Sequence, residues 1–203
     1  MVAIIDYGMG NTGSVKNAMT FLGEESIITN RADEIDRASH IILPGVGAFG
    51  DAMQKLEELG LPELLHREVF EKGKIFLGIC LGMQLLADVG EEGGERRGLG
   101  WIPGRVSRLK VDEDAYRLPH VGWNDVTPTT DATLFRNVEP SIFYFVHSFV
   151  LRPTDPSAVS ATCTYGETFA ASVQQGNIFG TQFHPEKSQK SGLALLRNFL
   201  AVT

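Results

Sequence analysis

The stretch that most restricts the architecture open to this chain is Ile75-Phe76-Leu77-Gly78-Ile79-Cys80-Leu81-Gly82, an apolar run that passes straight into a glycine-flanked turn, with helix-like Met83-Gln84-Leu85-Leu86-Ala87 behind it. Unbroken apolar character over so short a run marks a strand buried on both faces, the environment of a parallel sheet covered by helices. A strand that turns sharply into a helix needs neighbours without bulk, and Gly78 and Gly82, two places either side of Cys80, supply that. Such a nucleophile elbow exposes its central residue at a helix N-terminus, where unpaired N–H groups and the helix dipole bring a cysteine from a pKa of about 8.5 to roughly 3.5–7.5. The same residues also describe a buried structural cysteine between two helix-packing glycines, so a base must be found elsewhere.

Around this turn, the first half alternates β-rich apolar runs with helical periodicity. Strands are expected at 2–6, 26–29, 40–43 and 74–79, and helices at 14–22, 51–59 and from Pro62 to the stop at Gly73. Beyond Gly90-Glu91-Glu92-Gly93-Gly94 the pattern changes to antiparallel strand signals at 104–109, 121–126, 142–150, 160–164, 169–174 and 178–183, closed by a helix at 191–202. The expected class is α/β: a central, mostly parallel sheet flanked by helices, with an added antiparallel β section. No repeat or linker interrupts it, so residues 1–203 read as a single domain. Cys80 then sits at the carboxyl end of a central strand, where open α/β sheets place their ligands.

Composition narrows the function classes. A net charge of −7 argues against a binder of nucleic acid. The apolar run at 2–5 stops at Asp6, too short for a signal segment or a membrane span, and no later segment approaches the roughly 18 unbroken apolar residues of a span, so the expected location is cytoplasmic. The two cysteines, Cys80 and Cys163, lie far apart without C-x-x-C or Cys/His ligand spacing, which suggests neither a disulfide framework nor a metal site.

A base for Cys80 is available in Gln182-Phe183-His184-Pro185-Glu186, at the end of the last strand. Thiol catalysis needs an imidazole to hold the proton and a third group to fix the ring, and His184 and Glu186 fit those roles. Pro185 forces the chain off the sheet, letting both side chains face the crevice. His147, in Tyr144-Phe145-Val146-His147-Ser148, is either a site residue or the polar end of a buried strand. Acyl chemistry also needs oxyanion donors, and the Leu81 amide together with an amide in Pro44-Gly45-Val46-Gly47 provides them, each worth about 2.7–4 kcal/mol of transition-state stabilisation. A rival signal is Gly8-Met9-Gly10-Asn11-Thr12-Gly13 with Asp33 about 20 residues on, as a dinucleotide site would have. That reading leaves Cys80, His184 and Glu186 unexplained.

Gly-Ile-Cys-Leu-Gly-Met-Gln at 78–84, Pro-Gly-Val-Gly-Ala-Phe-Gly at 44–50 and Gln-Phe-His-Pro-Glu-Lys-Ser at 182–188 resemble the class I glutamine amidotransferases, over nearly the whole chain. Asp-Tyr-Gly-Met-Gly-Asn at 6–11, His-Val-Gly-Trp-Asn at 120–124 and Tyr-Phe-Val-His-Ser at 144–148 are similar to the glutaminase subunits of imidazole glycerol phosphate synthases, of histidine biosynthesis. The resemblance implies flavodoxin-like layering and hydrolysis of L-glutamine to glutamate and ammonia through a thioester on Cys80, with His184 and Glu186 completing the triad. Leu81, Val46 and Gly47 would form the oxyanion hole, and Gln84, His147 and Ser148 would position glutamine. No cofactor is implied. The implied partner is a (β/α)₈-barrel cyclase in a heterodimer, with Asn11, Ser14, Tyr144 and Lys187 at the interface. Alternatives are a glutaminase serving another acceptor synthase, a peptidase or γ-glutamyl hydrolase of the same fold, and a silent scaffold. Nothing is carried over for the loops at 90–98 and 110–117.

Overall fold

The computed structural model describes residues 1–203. In chain order the first half comprises β1 (Val2–Ile5), α1 (Thr12–Phe21), β2 (Ser26–Thr29), α2 (Ala32–Arg37), β3 (His40–Gly45), α3 (Phe49–Glu58), α4 (Leu61–His66), β4 (Ile75–Cys80) and α5 (Leu81–Gln84). The second half adds β5 (Val89–Gly90), β6 (Arg96–Arg97), β7 (Gly104–Arg108), β8 (His120–Asp125), β9 (Thr127–Pro128), β10 (Ile142–His147), β11 (Phe149–Pro153), β12 (Val159–Tyr165), β13 (Glu167–Gln175), β14 (Ile178–Thr181) and α6 (Gln189–Leu200).

The main sheet runs β2-β1-β3-β4-β14-β13-β12-β9. Its first five strands are parallel, and the last three continue the same sheet antiparallel. The parallel part has the flavodoxin-like order, with the chain reversing direction across the sheet between β1 and β3. Two smaller sheets, β10-β8 and β11-β7-β5-β6, stand apart from it.

Strand alternation builds one core on each face. Val2, Ile4, Ile42, Leu77 and Ile79 pack with Val15 and Met19 of α1 and with Leu195, Leu196 and Phe199 of α6. Ala3, Ile5, Ile41, Leu43 and Phe76 turn the other way, onto Ala52 and Leu56 of α3 and Leu61 and Leu65 of α4. Burying each larger apolar side chain contributes about 1.5–3 kcal/mol, which holds the central strands as a rigid base for the loops at their ends.

Some boundaries differ from the sequence reading for identifiable reasons. Helix α2 has a single buried residue, Ile35, and hence no apolar period to betray it. The expected strand at 142–150 breaks at Ser148 because β10 pairs with β8 whereas β11 pairs with β7. The helix from Pro62 continues beyond α4 as a π-helical stretch, Arg67–Glu71. The helix expected at 83–87 is one turn only, Leu81–Gln84, after which the backbone carbonyls of Leu85, Leu86 and Ala87 accept from Leu99, Trp101, Ile102 and Gly100. Tertiary hydrogen bonds replace the helical ladder there, so the elbow carries far less helix dipole than its apolar run suggests.

Close approach fixes the elbow. A Cβ on Gly82 would lie 1.9 Å from the Leu43 carbonyl oxygen of the neighbouring strand, and one on Gly78 would lie 2.4 Å from the Gly82 oxygen. Both obstacles are backbone atoms that cannot swing aside. Gly82→Ala is therefore expected to lower unfolding free energy by about 3 kcal/mol or more, read as an earlier midpoint in urea. An unchanged midpoint would refute this packing account.

Candidate active site

Because β3, β4 and β14 are adjacent and parallel, their carboxyl ends open onto one edge of the sheet. Gly45 is opposite Cys80, and Ile79 is opposite Thr181, so the loop after β3, the elbow after β4 and the segment after β14 converge. Cys80 has φ 56° and ψ −110°, a left-handed geometry that costs a non-glycine residue about 1–3 kcal/mol. The surrounding strands hold that strain and turn its sulfur into a cavity of about 300 Å³.

The cavity is lined by Val46, Gly47, Cys80, Leu81, Gln84 and His184, and on its far side by Pro119 and residues 146–149. His184 leaves the sheet just beyond β14 and is buried, as is the side chain of Glu186. Its Nδ1 donates to Glu186 Oε1 at 2.8 Å, which fixes the ring and leaves Nε2 buried with no partner. The Ser188 hydroxyl, which accepts from the Tyr144 amide at 3.0 Å, donates to the His184 carbonyl at 2.6 Å. The His184 amide returns to the Tyr144 carbonyl at 2.9 Å, so the triad segment is tied to β10.

Burial alone would depress the His184 pKa, but the Cys80 sulfur and the Glu186 carboxylate outweigh it and push the ring up to about 10. The ring thus holds its proton more tightly than a free imidazole does, and Nε2 is the nitrogen left without a partner. The Cys80 thiol lies 3.9 Å from the Val146 carbonyl, and the Gln182 amide approaches the sulfur at 3.7 Å. A nucleophile, an imidazole acid and a carboxylate that orients it are the parts needed for acyl transfer.

The expected oxyanion donors divide. Leu81 is the first residue of α5, where an amide has no intrahelical acceptor. The Val46 amide, by contrast, is spent on the Met9 carbonyl at 3.0 Å, so in this conformation it cannot serve an oxyanion. The expectation for Val46 is corrected on that point. Gly47 lies beside it with φ 105°, a conformation that suits glycine.

Of the residues expected to contact substrate, Gln84, His147 and Ser148 all line the cavity. Gln84 donates to the Phe149 carbonyl at 2.9 Å and to Gln182 Oε1 at 3.1 Å, and both ring nitrogens of His147 are engaged. Glu92, in a loop from which nothing was carried over, also reaches the cavity and accepts from the Phe49 amide at 2.9 Å. Its only sequence signal is a carboxylate among glycines, which has no period to read. A wider groove of about 490 Å³ over α3 shares Glu92 but holds no cysteine or histidine.

The dinucleotide alternative does not survive. Asp33 lies in the first turn of α2, paired with Arg31 at 3.1 Å, rather than at the end of β2 where a ribose would be read. Gly10 serves packing, since a Cβ there would lie 3.0 Å from the Pro44 oxygen.

Comparison with known proteins agrees with this geometry. The sequence profile of glutamine amidotransferase class-I matches residues 3–202. Imidazole glycerol phosphate synthase subunit HisH 2 of Nitrobacter winogradskyi is 48% identical over 205 residues, covering 98% of this chain and 97% of the relative. Subunit HisH of Moorella thermoacetica is 49% identical over 199 residues, covering 98% and 93%. Among solved structures, PurLQS from Thermotoga maritima is similar with a TM-score of 0.75 at 20% identity, covering 98% of this chain and 96% of that one. Another, described only as a glutamine amidotransferase, gives 0.73 at 22%, covering 98% and 97%. At these identities the solved structures speak to the fold alone.

Proposed function

The chain belongs to the class I glutamine amidotransferases and, within them, to the HisH subunits of imidazole glycerol phosphate synthase, and from that premise we propose how its residues work. It is a glutaminase subunit that releases ammonia from L-glutamine for histidine biosynthesis. The observation that carries the assignment of roles is the fixed His184–Glu186 pair facing Cys80 across one small cavity.

Cys80 Sγ attacks the side-chain carboxamide carbon of glutamine, its proton being held on His184. The tetrahedral oxyanion is met by the Leu81 amide. His184 Nε2 then protonates the leaving nitrogen, and ammonia departs as the C–N bond breaks, leaving a glutamyl thioester. His184 next takes a proton from water, which adds to the thioester and frees glutamate and the thiol. Gln84 and the wall at 147–148 position the substrate, while the Glu92 carboxylate offers charge complementary to its ammonium group.

Ammonia is useful to a biosynthetic enzyme only if an acceptor captures it. We propose a heterodimer with a (β/α)₈-barrel cyclase that uses it to form imidazole glycerol phosphate and an aminoimidazole carboxamide ribotide. Asn11, Ser14, Tyr144 and Lys187 are assigned to that interface. Val121 and Trp123 extend the surface beside Tyr144: they are 56% and 48% exposed, and the Trp123 ring is 6.0 Å from that of Tyr144.

The Met9 carbonyl that occupies the Val46 amide lies in the same β1–α1 loop as Asn11. Contact with the partner there bears directly on the missing donor. Glutamate release by the wild-type chain is therefore expected to rise about 100-fold or more when the cyclase and its ribotide are added, the value of one oxyanion donor. Equal rates with and without the liganded cyclase would sink the activation idea. No release under either condition would sink the glutaminase reading.

A further inference from the structure

We propose that His120 and His147 form a neutral positioning relay that sets the wall of the glutamine cavity, to which His147 itself belongs, and the Gln84 side chain. This rests on the glutaminase reading above.

The polarity of the relay follows from the acceptor at one end. The Phe149 carbonyl can only accept, and His147 Nδ1 lies 3.1 Å from it, so that nitrogen carries the hydrogen. In a neutral ring Nε2 is then bare, and its neighbour, His120 Nδ1 at 3.1 Å, must donate to it. His120 Nε2 is bare in turn and accepts from Asn124 Nδ2 at 3.4 Å. Asn124 is itself oriented, because Nδ2 also donates to the Thr164 carbonyl at 3.1 Å and Oδ1 accepts from the Asp125 amide at 2.8 Å. Every member has one allowed state, and the chain runs in one direction from β8 through both imidazoles to residue 149.

The surroundings keep both rings neutral and still. His120 stacks on Tyr165 with ring centroids 4.0 Å apart and on Phe145 at 4.9 Å. Both histidines are buried, and burial pushes His120 down to about 4 and, with His120 beside it, His147 down to about 3.

The end of the relay is the informative part. The Phe149 carbonyl accepts from His147 and from Gln84, so one oxygen couples the relay to a cavity side chain. Ser148, just before it, is the break between β10 and β11 and lines the cavity. Reversing the tautomer of His147 would place a bare nitrogen against the carbonyl and loosen that wall without touching Cys80, His184 or Glu186. His120 therefore acts on glutamine only through other groups, with His147 at the cavity wall the first of them.

Two measurements on the wild-type chain in complex with the cyclase, and on His120→Phe in the same complex, test this. Phe keeps the ring stack and removes both hydrogen bonds. Long-range ¹H–¹⁵N spectra of the wild type should show Nδ1–H with bare Nε2 for both histidines at neutral pH; an Nε2–H or cationic form of either would overturn the relay. His120→Phe should raise KM for glutamine about tenfold, the worth of roughly one buried hydrogen bond, with kcat changed less than about threefold. An unchanged KM, or an equal loss confined to kcat, would overturn it. Should His120→Phe fail to fold, Asn124→Ala removes the outermost donor, and a KM rise of about threefold at constant kcat is expected, an unchanged KM being the contrary result. Absence of turnover in the wild type refutes the glutaminase reading instead, whatever the tautomers.

Discussion

Cys80→Ala is expected to reduce glutamate release in the presence of the liganded cyclase by about 10⁵-fold or more, because it removes the one thiol in the cavity and with it the thioester. The neighbours of the sulfur, the Val146 carbonyl and the Gln182 amide, are backbone and carboxamide groups without nucleophilic character. Alanine at 80 retains the backbone φ of 56° and the glycines at 78 and 82, so the variant should fold and still bind glutamine. Steady-state kinetics with the complex checks the loss, and calorimetry checks binding. Residual turnover within a hundredfold of wild type would mean that water is activated without a thioester, and the account of Cys80 would fall.

Glu186→Gln should cost about 10⁴-fold in kcat while sparing the fold. The carboxylate accepts from His184 Nδ1 at 2.8 Å and so holds both ring orientation and charge. A carboxamide can present its N–H to the ring, which favours the wrong tautomer, the effect known from triads in which the acid is replaced by its amide. The sign of the titration follows as well. Burial lowers the His184 pKa, and Cys80 and Glu186 raise it to about 10, so removing one of the two opposing contributions moves it down. In the wild type the stability that accompanies this raised pKa is fully present below the ordinary histidine value of about 6.5 and is lost as pH rises through about 10. In the variant that loss should still begin at about 6.5 but be smaller and complete at lower pH. Histidine NMR titration and urea midpoints across the same range check both statements, and an unmoved His184 titration would contradict them.

Cys80, His184 and Glu186 were legible in sequence as candidates for one site because each sits where a strong local signal ends. Cys80 follows a buried strand and is bracketed by glycines that the packing requires, while His184 and Glu186 bracket a strand-breaking proline after β14. Parallel strands that are neighbours share their carboxyl ends, so two such signals are brought together by topology alone. The parallel character of the sheet was readable too, from short apolar runs that alternate with helical segments and whose residues fill two cores.

What escaped depends on contacts between segments distant in sequence. The Met9 carbonyl that takes the Val46 amide lies 37 positions away, and nothing about either residue announces the bond. Glu92 reaches the cavity from a loop tied down by its own contact to the Phe49 amide and by the pairs of Glu91 and Glu95 with Arg105 of β7. The one-turn length of α5 is set by amides at 99–102, not by the helical propensity of 83–87. The break at Ser148 comes from β10 and β11 choosing different partners, although their composition is that of one continuous strand.

The central claim, a covalent glutamyl intermediate on Cys80, is tested most directly by mixing the wild-type chain and liganded cyclase with L-glutamine, quenching in acid during turnover, and mapping adducts by peptide mass spectrometry. The account predicts one glutamyl group on the peptide carrying Cys80 and none on the peptide carrying Cys163, whose buried thiol is pushed up to about 12. Glutamate release with no adduct at Cys80, or an adduct on another residue, would contradict it.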